Sequence, residues 1–210
     1  MFDINARATD DQPINASMLG EDRFITSWVT PESLAIKQAH KAITNGIDDY
    51  RQRIEALWRF VRDIPYVQFV SSRVSIGGRT IRQDDVWLDP AQALVAGQLN
   101  CFNKSALLAS LIKQETENVY VCLNNVTYDG VGGHAIVYLP EGDFVMETTN
   151  PHIIHPWERA SDIDIYEPVI FFNDKEVRAV PGVDLEQPLG YCCVRWLEEY
   201  TNAHLCDSYI

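Results

Sequence analysis

The sequence predicts an α+β protein whose helices come before a mainly antiparallel sheet. Two observations carry this. In the first half, apolar residues recur at three- and four-residue steps, the period of a helix with one buried face. From about residue 119 the period drops to two, the alternation of half-buried strands. Helices first and strands later is the order of an α+β chain, not of repeated βαβ units.

The elements follow in order. Residues 1–20 are polar and turn-rich and read as an N-terminal arm. In "TPESLAIKQAHKAITNG", Thr30 stands as N-cap, Pro31 at the first helical position and Gly46 as the stop. In "IDDYRQRIEALWRFVRDIPY", residues Ile47, Tyr50, Ile54, Leu57, Trp58 and Val61 share one helix face, and Pro65 ends it. "VSIGGRTIRQDD" reads as a loop turning at Gly77-Gly78, without the pattern of a nucleotide cradle. "DPAQALVAG" is a short helix closed by Gly97, and a longer helix runs from Cys101 to about Gln114. "VYVCL" (119–123), "HAIVYL" (134–139), "DFVMETT" (143–149) and "YEPVIFF" (166–172) alternate as strands. "YCCVRWLEEY" (191–200) fits a strand or a helix.

Composition narrows the function classes. A chain of 210 residues suits one domain: a core over 21–151 with its N-terminal helices, completed by 152–210. The net charge of −13 disfavours a nucleic-acid or anionic-membrane partner, because both need a basic footprint. No segment has the pattern of a secretory signal or the length of a membrane span. Five cysteines lack a framework spacing, so a cytoplasmic protein with reduced thiols is expected. No metal or cofactor is expected. Cys192, Cys193, His204 and Cys206 lack zinc-ligand spacing, and His152 and His155 sit in a proline-bounded loop. Arg73, Arg79 and Arg82 form the local basic cluster and read as a solvated loop or a contact for a substrate carboxylate.

The chemistry concentrates in "GQLNCFNKSALLASLIK" (97–113). Asn100 suits an N-cap, which makes Cys101 the first helical residue. There the helix dipole and the outward-pointing amides favour a thiolate, the nucleophilic form of cysteine. Cys101 could equally be a small buried apolar residue, as many free cysteines are. Cys122, inside an apolar strand, reads as core. A nucleophilic cysteine needs a base. Of five histidines, His134 alone follows a Gly-Gly pair and opens a strand. A four-residue loop over 140–143 pairs Leu139 with Phe144, and so Ile136 with Glu147. Alternation then puts His134 and Glu147 on one sheet face as diagonal neighbours.

"CFNKSALLASLIK", a strand-borne His 33 residues later, and an acid 13 residues after that within "METTNP" resemble the transglutaminase-like superfamily of papain-type folds. "LWRFVRDIPYV", ending near Tyr66, resembles that family's upstream helix. The likeness covers roughly residues 50–151. The family usually has Asp at the place of Glu147, and many members carry Gly shortly before the cysteine, where this chain has Gln98-Leu99-Asn100. The resemblance implies a nucleophile-bearing buried helix packed on an antiparallel sheet, with a triad of Cys101, His134 and Glu147. It also implies a side-chain donor for the oxyanion, for which Gln98, Tyr66 and Trp87 are candidates. The implied reaction is cysteine-dependent acyl transfer through a thioester on a peptide, protein or small-molecule amide or acyl substrate. Water would make it hydrolysis or deamidation; an amine would make it transamidation or amide synthesis. A binding domain that keeps the fold without the chemistry is the alternative.

Overall fold

A computed structural model describes residues 7–9, 13–14, 23–67, 72–76, 79–83, 87–126, 132–163 and 165–180. Strands β1 (Arg7–Thr9), β2 (Pro13–Ile14) and β3 (Arg23–Phe24) lead to helices α1 (Leu34–Thr44) and α2 (Tyr50–Asp63). Strands β4 (Ser72–Ile76) and β5 (Arg79–Gln83) form a hairpin, followed by α3 (Pro90–Ala93) and α4 (Cys101–Ile112). Then come β6 (Tyr120–Val126), β7 (Gly132–Leu139), β8 (Phe144–Met146), β9 (Glu158–Arg159), β10 (Tyr166–Phe172) and β11 (Val177–Ala179). Seven strands make one antiparallel sheet in the order β1-β11-β10-β6-β7-β8-β9.

Alternation along the central strands sorts their side chains into two layers. Val121, Leu123, Ala135, Val137 and Met146 join α1, α2 and α4 in the larger core. Cys122, Ile136, Tyr138, Val145, Tyr166 and Phe171 form a second cluster on the opposite face. Every residue of α4 is buried, so this helix is enclosed by the sheet and the other helices. Its polar positions are paired internally: Ser105 Oγ donates to the Ala135 carbonyl at 2.9 Å, and Ser110 Oγ to the Ala106 carbonyl at 2.7 Å.

Four local readings of the sequence change. Helix α1 starts at Leu34, not at Pro31. The Pro31 carbonyl accepts from Gln114 Nε2 at 2.8 Å, and the Thr30 N–H donates to Ser110 Oγ at 3.0 Å. Tertiary partners thus hold the groups that would begin a helix there. Gly46 keeps its role, at φ 77° just past the end. Residues read as a loop around Gly77-Gly78 flank that pair as β4 and β5, with Ile76 opposite Arg79. The strand predicted to run to residue 149 ends at Met146. Part of the polar arm, β1, pairs with β11 at the sheet edge. Residues 191–200 lie outside the described residues, as do Cys192, Cys193, His204 and Cys206.

One ion cluster ties the helical layer together. Glu115, just past α4, accepts from Arg53 Nε and Nη2 at 2.9 and 2.8 Å and from His40 Nε2 at 2.7 Å. Burial would raise the Glu115 pKa, but its bonds to Arg53 and His40 outweigh this and lower it. Glu115→Ala removes the acceptor that Arg53 and His40 share and should cost about 1.5–3 kcal/mol in urea denaturation. Removing Glu55 from its exposed pair with Arg59 should cost under about 1 kcal/mol in the same measurement.

Candidate active site

Asn100 caps α4: its Oδ1 accepts from the Asn103 N–H at 2.8 Å. Asn103 in turn accepts from the Leu88 N–H at 2.8 Å, which locks this first turn to the segment before α3. Cys101 is therefore the first residue of a rigid, buried helix. It is 0% exposed.

The β7–β8 hairpin has the register that a four-residue loop demands, with Leu139 opposite Phe144 and Val137 opposite Met146. Asp143 makes the turn possible in the left-handed region, at φ 55°. Just beyond β8, Glu147 Oε2 meets His134 Nε2 at 2.6 Å, with both side chains fully buried. Nε2 faces the carboxylate, and the same imidazole is hydrogen-bonded to the Cys101 side chain. The three residues singled out in the sequence thus come together as a contiguous buried set.

Glu147 is held from every side. Its Oε1 accepts from the Thr149 N–H at 2.6 Å, Thr149 Oγ1 at 2.7 Å and the Asn150 N–H at 3.2 Å. Its Oε2 also accepts from the Tyr166 hydroxyl at 2.6 Å. The Tyr166 ring reaches from β10 over β6 and stacks on His134, centroids 5.3 Å apart. Trp58 Nε1 of α2 donates to the Glu147 carbonyl at 2.6 Å.

Electrostatics follow from this packing. Burial would push the His134 pKa down, but the Glu147 carboxylate and the bond to Cys101 outweigh it and hold it above 6.5. Burial would push Glu147 up, but His134, Tyr166 and the Thr149 amide hold it below 4.5. Cys122, wholly buried in β6, is raised well above 9.0 by burial despite its bond to Asn124. Lys104, 1% exposed on α4, is lowered to about 8 by burial, against the pull of Glu147.

The oxyanion candidates separate. Tyr66 bridges Leu99 in parallel, and Val67 N–H and Leu99 N–H bond to the Leu99 and Pro65 carbonyls, so Tyr66 lies beside the segment leading into Cys101. Gln98 is exposed. The Trp87 ring is stacked on Phe102 at 3.6 Å and set edge-on to Trp28 at 5.8 Å, within the aromatic core. Arg73, Arg79 and Arg82 fall on β4 and β5, away from a loop reading. His155 pairs with Glu158 at 3.1 Å on the surface. Among the described residues no group of three His, Cys, Asp or Glu side chains is placed to hold a metal ion.

Sequence reasoning missed Tyr166, Thr149, Trp58 and Lys104. Thr149 was signalled by its place two residues after the acid. Lys104 was signalled by being the one charge within "CFNKSALLASLI". Tyr166 and Trp58 carried no signal beyond looking like core aromatics.

The sequence matches no family model and no curated protein. Solved structures are similar. Calcium-bound LapG of Legionella pneumophila aligns with a TM-score of 0.50 at 13% identity, over 84% of this chain and 99% of that one. The EGTA-treated form of LapG aligns with a TM-score of 0.50 at 15% identity, over 75% and 78%. A further LapG structure gives 0.49 at 16%, over 69% and 76%. The fold is papain/transglutaminase-like.

The two shifts have opposite pH signatures. The depressed Glu147 adds stability above its unfolded value of 4.5, lost as pH falls through its folded pKa. The raised His134 adds stability below its unfolded value of 6.5, lost as pH rises through its folded pKa. Their joint contribution should peak between 4.5 and 6.5. Urea midpoints measured across pH should show this maximum, and Glu147→Gln should flatten both flanks. Tyr166→Phe removes one charge-assisted donor from Glu147. It should cost about 1.5–3 kcal/mol by denaturation and move the His134 imidazole titration seen by NMR.

Proposed function

We propose that the protein is a cysteine-dependent acyl-transfer enzyme of the transglutaminase-like superfamily, acting on an amide of a peptide or protein. One observation carries the reading: the His134 imidazole is bonded to both the Cys101 thiol and the Glu147 carboxylate. The likeness of fold to LapG supports it. His134 takes the thiol proton, and Glu147 fixes the tautomer and stabilises the imidazolium. The thiolate adds to the amide carbonyl, forming the C–S bond. The oxyanion would form at the α4 N-terminus, where amides and dipole favour negative charge. The carbonyl then reforms as the C–N bond breaks, and His134 hands its proton to the leaving amine. The thioester passes its acyl group to water, giving a carboxylic acid, or to a second amine, giving a new amide. Neutral His134 is the base in either case.

The test is alkylation of the native protein with iodoacetamide, a reagent small enough to enter a closed site, read by peptide mass. Cys101 should react first, with a midpoint below the free-thiol value of about 8.5. Cys122 should react only after unfolding. Incubation with peptide substrates should then add an acyl mass on Cys101 that Cys101→Ser abolishes. If Cys101 proves as inert as Cys122 in the native protein, the reading falls and a binding domain that retains the fold takes its place.

A further inference from the structure

Lys104 is a buried ionisable group of α4 that the chemistry above leaves unused. It lies three residues after Cys101, one turn into α4, and is 1% exposed. Its Nζ donates to the Arg62 carbonyl at 2.9 Å and to the Thr148 carbonyl at 3.4 Å. The first belongs to the last turn of α2, where carbonyls lack intrahelical donors and a cation meets the negative end of the dipole. The second adjoins Glu147. Among the described residues the hydrogen-bond partners of Nζ are these two carbonyls, and Glu147 acts on it through space.

A lysine in this position is expensive to bury unless its charge is needed. The charge count supplies the need. A Cys101 thiolate, a His134 imidazolium and a Glu147 carboxylate sum to one net negative charge, enclosed in a region with no solvent contact at Cys101 or Glu147. The groups that act on Lys104 are Glu147 from the loop after β8, and Arg62 and Asp63 from the end of α2. Arg62 is half-buried and points elsewhere, donating to the Ile153 and Pro151 carbonyls with its guanidinium over Trp58. Asp63 is exposed. Among the described residues, the buried cation next to this set is Lys104, on which the Glu147 carboxylate acts directly.

We propose that Lys104 is a positioning residue for the acyl-transfer site: its ammonium ties α2 and the Thr148 loop to the nucleophile helix and supplies the counter-charge that keeps Cys101 ionised beside His134 and Glu147. This rests on the triad reading above. Without the counter-charge, the favoured state is neutral overall, with Cys101 protonated, His134 cationic and Glu147 anionic. The thiol then ionises at higher pH.

Two variants separate charge from tether. Lys104→Gln keeps a donor for the carbonyls and loses the charge; Lys104→Arg keeps the charge. The readout is the pH profile of Cys101 alkylation by iodoacetamide in the full chain, with thermal melts to verify folding. Lys104→Gln should move the midpoint up by about one pH unit or more, leaving about tenfold less thiolate at a fixed pH below it. Lys104→Arg should stay near wild type. A tether alone would leave both midpoints unmoved. A depressed wild-type midpoint that Lys104→Gln leaves in place overturns the counter-charge and spares the triad. A wild-type Cys101 that does not react overturns both. If Lys104→Gln does not fold, ¹⁵N NMR of lysine-labelled wild type decides. An ammonium signal for Lys104 at neutral pH is expected, and a neutral amine overturns the proposal.

Discussion

A helix with solvent on no side must settle all its polar groups inside the protein, since an unpaired buried amide or hydroxyl costs on the order of 1–3 kcal/mol. Helix α4 is such a helix, and much of the structure can be traced to meeting that demand. Asn100 and Asn103 close its N-terminus against the Leu88 amide. Ser105 links it to β7, Ser110 binds the chain entering α1, and Lys104 reaches the end of α2. At its far end Lys113 pairs with Asp174 at 2.8 Å, and Glu115 gathers Arg53 and His40. Each contact that satisfies α4 also fixes a neighbour relative to it. The position of Cys101 is set by the whole helical layer and one sheet face, not by its own loop.

Glu147 meets the same constraint with a single side chain. A buried carboxylate survives as an anion only if its oxygens are saturated with donors. Here the two oxygens divide the work. Oε1 takes the amides and hydroxyl of the turn just after β8, and Oε2 takes His134 and Tyr166. The first set anchors the acid to its own backbone; the second aims it at the imidazole. Glutamate's extra methylene fits this layout. Strand β8 stops at Met146, and the longer side chain spans from the turn back to the start of β7. The strand ends where the carboxylate needs the Thr149 and Asn150 amides, which a continued ladder would have used otherwise.

Features written in local sequence were legible, and features made by tertiary pairing were not. The cap at Asn100, four of the six residues assigned to the α2 face (Ile54, Leu57, Trp58 and Val61) and the β7–β8 register are set within a few residues, and the structure shows each; Ile47 instead precedes α2 and Tyr50 is exposed. The start of α1 was misread because its local signals, Thr30 and Pro31, are overruled by Ser110 and Gln114, some 80 residues away. Strands of two or three residues such as β1, β9 and β11 are too short to show a period; their pairing partners create them. Tyr166 could not be found from spacing. Its contact with Glu147 exists only because the sheet order puts β10 one strand away from β7, close enough for a tyrosine ring to lie across β6.

The two described cysteines show how much the surroundings decide. Both are wholly buried, so burial alone would make both inert thiols. Cys122 sits mid-strand among apolar side chains, and its thiol donates to the Asn124 amide oxygen, with sulfur and oxygen 3.2 Å apart. That bond satisfies the thiol without offering a place for its proton, and the thiol is held neutral. Cys101 occupies a helix N-terminus, where the dipole supports negative charge, and it faces an imidazole whose pKa is raised by Glu147. There the proton has a destination, and the resulting charges stand close together in a medium that strengthens their attraction. Removing solvent thus has opposite consequences at the two sites. It suppresses ionisation where no partner is provided and reinforces an ion pair where one is.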